Sequence, residues 1–158
     1  MTQAQHPTVR KVTEALAAAG ASGEIHELAE EVRTAPAAAA QLGVEVGAIA
    51  NSLVFDADGE PLLVLTSGAH RVDTARVAAL VGVGALRRAT PDFVRTATGQ
   101  PIGGVAPVGH PRPLRTLVDV DLAAYEVVWA AGGIPHTGFP TTYAELVRVT
   151  GGSPAEVG

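Results

Sequence analysis

A chain of 158 residues that is 47% hydrophobic and 17% charged fits one globular domain with a substantial core and excludes a disordered chain. Its net charge of −5 argues against a general binder of DNA or RNA, although contact with one terminus of a nucleic acid stays open. The absence of cysteine excludes disulfides, thiolate metal sites and a cysteine nucleophile.

The first part of the chain predicts two helices and a strand hairpin. The expected elements are a helix over 7–20, a short strand over 23–28, a helix from Thr34 to Gly43, a short helical connection over 44–50, and strands over 51–56 and 61–66. Thr34 can cap the second helix, and Asp58-Gly59 is a typical hairpin turn. The apolar run 62–65 predicts a strand that is buried on both faces.

The second part predicts three more helices and two more strands. In order these are a helix from Asp73 to Leu80, a helix from Thr90 to Gly99, strands over 113–118 and 125–131, and a helix from Thr142 to Val149. We expect residues 153–158 to form a loose tail. Without repeats or linkers, the sequence predicts one α+β domain over 1–152, with mostly antiparallel strands and helices packed around them.

No stretch of the chain predicts contact with a membrane. The longest apolar runs, such as 62–65 and 127–131, have the length of strands. Residues 1–10 are polar and lack the apolar centre of a signal peptide. We therefore expect a cytoplasmic protein with no membrane partner.

The stretch 98–110 is the most unusual part of the sequence. It is too rich in Gly and Pro for a regular helix or strand, and too apolar for a solvated linker. Such a segment usually marks a close approach of the backbone to another segment or to a ligand. Two interpretations follow: a tight bend in a sheet, or a pocket wall whose free N–H groups face a substrate oxygen.

Residue spacing alone identifies no catalytic or metal-binding motif. The segment 26–30 lacks the second His of a zinc-protease helix, and the five His residues show no ligand spacing. The segment 82–84 lacks the third Gly of a dinucleotide-binding loop, and Ser52 and Ser67 lack the context of a nucleophile elbow. We therefore expect no metal and no cofactor. Residue patterns alone identify a globular α/β domain and no specific function.

Four segments in order, 51–55, 65–73, 97–110 and 128–139, form a more specific set. Together they resemble the YbaK-like family, also called the prolyl-tRNA synthetase-associated editing domain, over residues 9–152. The resemblance implies an α+β fold with a twisted, partly barrel-like sheet. It also implies hydrolysis of the ester that joins a wrong amino acid to the 3′ end of a tRNA.

The resemblance implies a reaction without a protein nucleophile, in which a ribose hydroxyl of the tRNA helps position a water. Backbone N–H groups of the glycine loop then support the oxyanion, each worth roughly 3 kcal/mol of barrier. The family's Gly-x-x-x-Pro element corresponds to Gly103 and Pro107, with Gly104 between them. Its Thr-Ser-Gly turn corresponds to Thr66, Ser67 and Gly68, which we expect at the floor of the pocket. Its late His corresponds to His136.

Two of these positions have a simple structural alternative. His136 either contacts the aminoacyl group or terminal ribose, or is a strand-end His held by backbone groups. Gly103 either presents its N–H to the substrate, or merely meets a steric need for a missing side chain. The second interpretation holds with or without catalysis.

Asn51 departs from the family, whose members usually carry a Lys at this position. A Lys would supply a mobile cation, whereas Asn supplies only a neutral amide. The single Lys of the chain, Lys11, lies on the first helix and is not an obvious substitute. Three alternatives stay open: Asn51 hydrogen-bonds the substrate, Arg71 or Arg112 supplies the charge, or the protein binds without turnover.

The resemblance favours a trans-acting deacylase for small mischarged amino acids, because so short a chain holds no synthetase core. Its implied partners are the tRNA acceptor end and a synthetase. The alternatives are a binding module for an aminoacyl end or small metabolite, and a hydrolase of an unrelated small ester. The candidates for local tRNA contact are Arg87, Arg88, Arg112 and Arg115, although scattered surface Arg is the simpler account of each.

Overall fold

The structure is a computed structural model, and it describes residues 6–29, 32 and 34–158. The helices are α1 (Pro7–Ala18), α2 (Ala35–Leu42), α3 (Thr74–Val81), α4 (Pro91–Thr98) and α5 (Tyr143–Thr150). The strands are β1 (His26–Glu27), β2 (Ile49–Ala57), β3 (Glu60–Ser67), β4 (Leu86–Arg88), β5 (Arg115–Asp119), β6 (Val128–Ala131), β7 (Thr137–Thr141) and β8 (Ser153–Ala155). In these described ranges, every helix is too short or too polar to cross a membrane.

The helices begin and end where their capping residues predict. The side chains of Thr34, Asp73, Thr90 and Thr142 each accept a hydrogen bond from a backbone N–H of the first helical turn. Each such cap stabilises its helix by about 1 kcal/mol. The same four helices end at a glycine in the left-handed conformation.

One mixed sheet forms the centre of the fold, in the strand order β1-β7-β6-β2-β3-β5-β8, with β4 also paired to β2. Four of its pairs are antiparallel, and the pairs β2–β6, β3–β5 and β5–β8 are parallel. The sheet is not closed, because β1 and β8 lie at opposite ends of the order. The predicted α+β class is confirmed.

The β2–β3 hairpin carries the hydrophobic core. Asp58 and Gly59 both have positive φ, at 52° and 93°, which is the type I′ turn expected from their sequence. Residues 62–65 of β3 are at most 1% exposed. Leu63 and Leu65 belong to one core cluster and Leu62 and Val64 to another, so the strand is buried on both faces as predicted.

Several boundaries differ from the sequence prediction. The strand over 23–28 is reduced to β1, and the connection over 44–50 holds a 3-10 turn at Val46–Ala48 before β2 begins at Ile49. The strand over 125–131 begins only at Val128. Of the segments considered above, residues 1–5 of the polar N-terminus and residues 30, 31 and 33 lie outside the described residues.

Besides the C-terminal strand β8, two strands were not predicted, because their sequences are atypical. β4 has only three residues, two of which are Arg, and β7 contains Gly138 and Pro140. Pro140 is tolerated because β1 pairs only with Thr137 and Gly138, so in the described part of the chain Pro140 has no strand partner on that side.

The C-terminal segment is ordered, and the expected loose tail over 153–158 is therefore corrected. β8 pairs in parallel with β5, so Ser153–Ala155 extends the sheet. Val157 is fully buried beside Val77 and Leu62, and its backbone oxygen accepts a hydrogen bond from Asp73 N–H. The sequence gives little sign of this, because the segment is short and rich in Gly, Ser and Pro.

Candidate functional site

A cleft of about 660 Å³ lies at a gap in the sheet along the outer edge of β2. β6 pairs with β2 only at Ile49 and Ala50, and β4 pairs with it only from Phe55 to Ala57. Within the described part of the chain, residues 51–54 therefore have no strand partner on this edge. All four of them line the cleft.

The cleft brings together three of the predicted site residues, Asn51, Gly103 and His136. Asn51 lies on β2, Gly103 on the glycine loop 98–110, and His136 directly before β7. The other walls come from α2, α4, β4, β6 and the segment after β1. The side chains around the cleft are mostly apolar, and the larger apolar ones include Leu28, Val32, Leu42, Ile49, Ile102 and Trp129.

Gly103 lines the cleft with an open surface around it. Its φ is +90°, and a Cβ built at this position would meet nothing within 4 Å. The need for glycine here therefore comes from the backbone conformation and not from a neighbouring group. The Gly103 N–H also has no hydrogen-bond acceptor among the described residues, so this donor is available to a ligand.

Gly104 has a different role from Gly103. A Cβ at Gly104 would collide with the peptide that joins Ile134 and Pro135, and Gly133 N–H donates to Gly104 O at 2.9 Å. Gly104 itself is not part of the cleft lining. This glycine lets the loop 98–110 pack directly against the segment that carries His136.

Gln100 holds the glycine loop in shape, and sequence reasoning missed it. Its side chain is 1% exposed. Its Oε1 accepts from Ala106 N–H at 2.7 Å, and its Nε2 donates to Val108 O at 3.1 Å. The buried side-chain amide of Gln100 thus links two parts of the loop. The one signal in the sequence was the position of Gln100 between Gly99 and Pro101.

His110 adds a second brace to the same loop. Its Nε2 donates to Ala106 O at 2.8 Å. Burial lowers the pKa of His110 below its ordinary value of 6.5, although the hydrogen bond to Ala106 offsets part of this effect. The neutral imidazole is therefore the form that the fold favours.

His136 is held in an unusual conformation at the edge of the cleft. Its φ is +66°, and Asp58 in the hairpin turn is the other non-glycine residue with positive φ in the described ranges. Its Nδ1 donates to Val32 O at 3.1 Å, and its own carbonyl accepts from Leu28 N–H at 2.7 Å. His136 is thus both held by backbone groups and exposed to the cleft. Because Nδ1 is used for the contact with Val32, Nε2 is the ring nitrogen left for a ligand.

The Thr66–Gly68 turn does not form the floor of the cleft, contrary to expectation. Thr66 and Ser67 are buried, and Ser67 N–H donates to the Asp119 carboxylate at 2.8 Å. A Cβ at Gly68 would collide with Val46 O. The turn instead fastens the end of β3 to the end of β5, and it lies behind the lining, with Thr66 paired to Asn51. Its anchor, Asp119, carried no motif in the sequence.

Pro107 and Arg71 also lie outside the cleft lining, as does Arg112. The cation that does line it is Arg88 of β4, which pairs with Phe55. Of the described residues that form the cleft, none is Asp or Glu. Of the three arginines Arg71, Arg88 and Arg112, Arg88 is therefore the one that places a positive charge in the cleft.

His70, Asp119 and Asp121 place three potential metal-ligating atoms within 4.8 Å of one another, which their sequence spacing did not show. His70 Nε2 lies 2.5 Å from Asp119 Oδ2, and Asp121 N–H donates to Asp119 Oδ1 at 2.9 Å. Both oxygens of the Asp119 carboxylate are thus already engaged. This cluster acts as a clasp between the 67–70 turn and the end of β5.

Both the fold and the sequence of this chain match known proteins. The fold superposes with a TM-score of 0.90 on a solved structure described as a candidate trans-editing enzyme for prolyl tRNA synthetase. The two share 45% identity, and the match covers 96% of each chain. The family model of the aminoacyl-tRNA editing domain matches residues 29–149, and this chain belongs to that family.

Two curated relatives show that similar sequences occur in chains of very different length. The uncharacterised protein YwhH of Bacillus subtilis is 30% identical over 124 residues, which is 78% of either chain. A proline–tRNA ligase of Nitratidesulfovibrio vulgaris is 34% identical over 91 residues, which is 58% of this chain and 16% of the ligase. The chain thus matches a small part of that ligase. The resemblance inferred from the sequence is confirmed.

Proposed function

We propose that this chain is a trans-acting aminoacyl-tRNA deacylase that hydrolyses the ester of a small amino acid wrongly attached to a tRNA. Its partners are then the acceptor end of a tRNA and a synthetase that mischarges it, in the cytoplasm. The observation that carries the proposal is the meeting of Asn51, Gly103 and His136 in one cleft at the sheet gap. Membership of the editing family and the near-complete overlap with the trans-editing neighbour support it.

In this mechanism a water molecule attacks the ester carbonyl carbon, and the bond from that carbon to the ribose oxygen breaks. The ribose oxygen takes the proton that the water gives up. The free Gly103 N–H donates to the oxygen that becomes negatively charged, and the Asn51 side-chain amide donates to it from β2. His136 Nε2 accepts a hydrogen bond from the terminal ribose, which fixes the position of the ester.

The lining of the cleft favours a substrate with an uncharged side chain. Apart from Arg88 and His136, its larger side chains are aliphatic or the aromatic Phe55 and Trp129, and an apolar wall penalises a buried charge. An apolar pocket separates substrates that differ by one methylene by only about 10–200-fold. We therefore expect a preference among small amino acids and not an absolute choice.

One observation favours a second candidate function, a module that binds an aminoacyl end without hydrolysing it. Asn51 is neutral, and it occupies the position on β2 where the family usually has a cation. Arg88 of β4 is the cleft's cationic side chain, but it pairs with Phe55, which lies four residues beyond Asn51 on β2. If Arg88 does not reach the ester, no cation assists the reaction, and the protein binds the aminoacyl end without hydrolysing it.

A panel of mischarged tRNAs distinguishes the two functions. The purified protein is mixed with tRNAs that carry labelled alanine, serine, threonine or 2-aminobutyrate, and the released amino acid is followed over time. Release above the spontaneous rate for at least one of them supports the deacylase. Retention on a filter without release supports the binding module.

A further inference from the structure

Ser52 carries an unusual set of unpaired polar groups in the cleft. Its Oγ is the one buried side-chain polar atom without a hydrogen-bond partner among the described residues. A buried hydroxyl without a partner costs free energy. Ser52 lines the cleft, so a turn of its side chain about χ1 brings the hydroxyl to a ligand bound there.

The backbone of Ser52 is also unpaired on the cleft side. Pro61 has no N–H and lies opposite Asp56, so the hydrogen-bonded pairs of the hairpin are those at Ala57, Phe55, Leu53 and Asn51. Ser52 falls between them, so its N–H and C=O point to the outer edge of β2. Neither β6 nor β4 pairs with Ser52.

The side chain of Ser52 approaches the gap from the opposite face to that of Asn51, since neighbouring strand residues alternate between faces. Ser52 pairs with Leu65, which belongs to the same core cluster as Val105 of the glycine loop. The Ser52 hydroxyl therefore lies on the glycine-loop side of the sheet. A ligand between β6 and β4 is thus within reach of Asn51 from one face and of Ser52 and Gly103 from the other.

Two of the three free groups of Ser52, the carbonyl and the hydroxyl, can accept hydrogen bonds from a cation. An aminoacyl ester carries an α-ammonium group next to its carbonyl carbon, and this group has only donors to offer. The lining that the structure describes includes no carboxylate to receive it. Neutral acceptors on Ser52 can bind the ammonium without lowering the electrophilicity of the adjacent carbonyl.

We propose that Ser52 is a specificity-determining residue, whose carbonyl and hydroxyl oxygens accept hydrogen bonds from the α-ammonium group of the aminoacyl substrate. This inference rests on the proposed function for the identity of the ligand. It explains why a hydroxyl is left unpaired at the gap in the sheet. It also predicts that the site distinguishes an α-ammonium from an α-hydroxyl of equal size.

The test compares two stable adenosine analogues that differ only at the α position. In one, an amide replaces the ester of alanyl adenosine, and in the other the same amide carries a lactyl group. We expect calorimetry to show that the wild-type protein binds the alanyl analogue about tenfold more tightly, as for a hydrogen bond to a charged group. In Ser52→Ala, which keeps the backbone carbonyl, we expect that ratio to fall by about fivefold, with little change in lactyl affinity.

Ser153→Ala is the matched control, because Ser153 is an exposed strand serine on β8, far along the sheet order from β2. It should leave both affinities unchanged. Equal binding of the two analogues by the wild type, no binding of either, or an unchanged ratio in Ser52→Ala overturns the proposal. Thermal melting checks that Ser52→Ala is folded, which we expect because it removes an unpaired hydroxyl.

The analogues also separate this inference from the proposed function. They contain no hydrolysable ester, so their binding is independent of turnover. Failure to release any amino acid from mischarged tRNA, together with the expected alanyl preference, would refute the deacylase and leave the role of Ser52 standing. Release from mischarged tRNA without the alanyl preference would do the reverse.

Discussion

Gly103→Ala and Gly82→Ala form a matched pair that isolates the contribution of the glycine loop to hydrolysis. Both glycines have a positive φ, at +90° and +78°, and a Cβ at either would meet nothing within 4 Å. The backbone strain of the two substitutions is therefore alike, about 1–2 kcal/mol. Only Gly103 lines the cleft, whereas Gly82 ends α3.

The new methyl group of Gly103→Ala occupies the space where the ester should lie, next to the free N–H. A displacement of about 1 Å at a reacting group costs about a hundredfold in rate. We therefore expect kcat to fall by about a hundredfold in Gly103→Ala and to stay within about twofold of wild type in Gly82→Ala. Amino acid release from mischarged tRNA measures the rates, and urea unfolding measures the shared loss of stability.

Two results would refute this reasoning. If Gly103→Ala kept nearly full activity at the same loss of stability as Gly82→Ala, the loop would not be a wall of the reaction site. If both variants lost activity equally, the effect of Gly103 would be one of stability alone.

Three further predictions concern the other residues of the site. Asn51→Asp keeps the shape of the side chain but replaces its donor with a negative charge, so release rates should fall by about a hundredfold or more, and an unchanged rate would remove Asn51 from the mechanism. Gln100→Leu leaves Ala106 N–H and Val108 O unpaired, at about 1–3 kcal/mol each. Urea unfolding should therefore show a large loss of stability, whereas a loss below about 1 kcal/mol would show that the loop does not depend on Gln100. The pKa of His110 is lower in the folded state than its ordinary 6.5, so the unfolded state binds more protons below that pH. The contribution of His110 to the free energy of unfolding should then be complete above pH 6.5. It should be lost as the pH drops from about 6.5 to the lowered pKa. His110→Gln should remove this part of the slope, and an identical slope in the variant would show that His110 does not contribute.

Local chemistry explains which parts of the fold the sequence predicts. The caps at Thr34, Asp73 and Thr90 and the Asp58-Gly59 turn depend only on neighbouring residues, so each is found where its side chains require it. The strands β4 and β8 depend on partners far away in the chain. Their own residues carry no alternating pattern, and pairing with β2 and β5 stabilises them.

Some features of the site were likewise predicted from the sequence, and others were not. The resemblance indicates Asn51, Gly103 and His136 as site residues, and these three do meet in the cleft. The cleft itself exists because β6 and β4 pair with different ends of β2, and no local pattern encodes that register. For the same reason the sequence did not indicate Ser52 as a cleft residue with unpaired groups, nor Gln100 as the brace of the loop.

The most direct test of the account is to locate an aminoacyl end on the protein by NMR, using the alanyl adenosine amide and backbone amide signals. We predict that the signals of Ser52 and Gly103 shift as the analogue is added, while that of Gly82 does not move. Shifts that spare the 51–54 edge and the glycine loop, or that lie around the Asp119 clasp instead, would contradict the claim that the gap in the sheet is the site of hydrolysis.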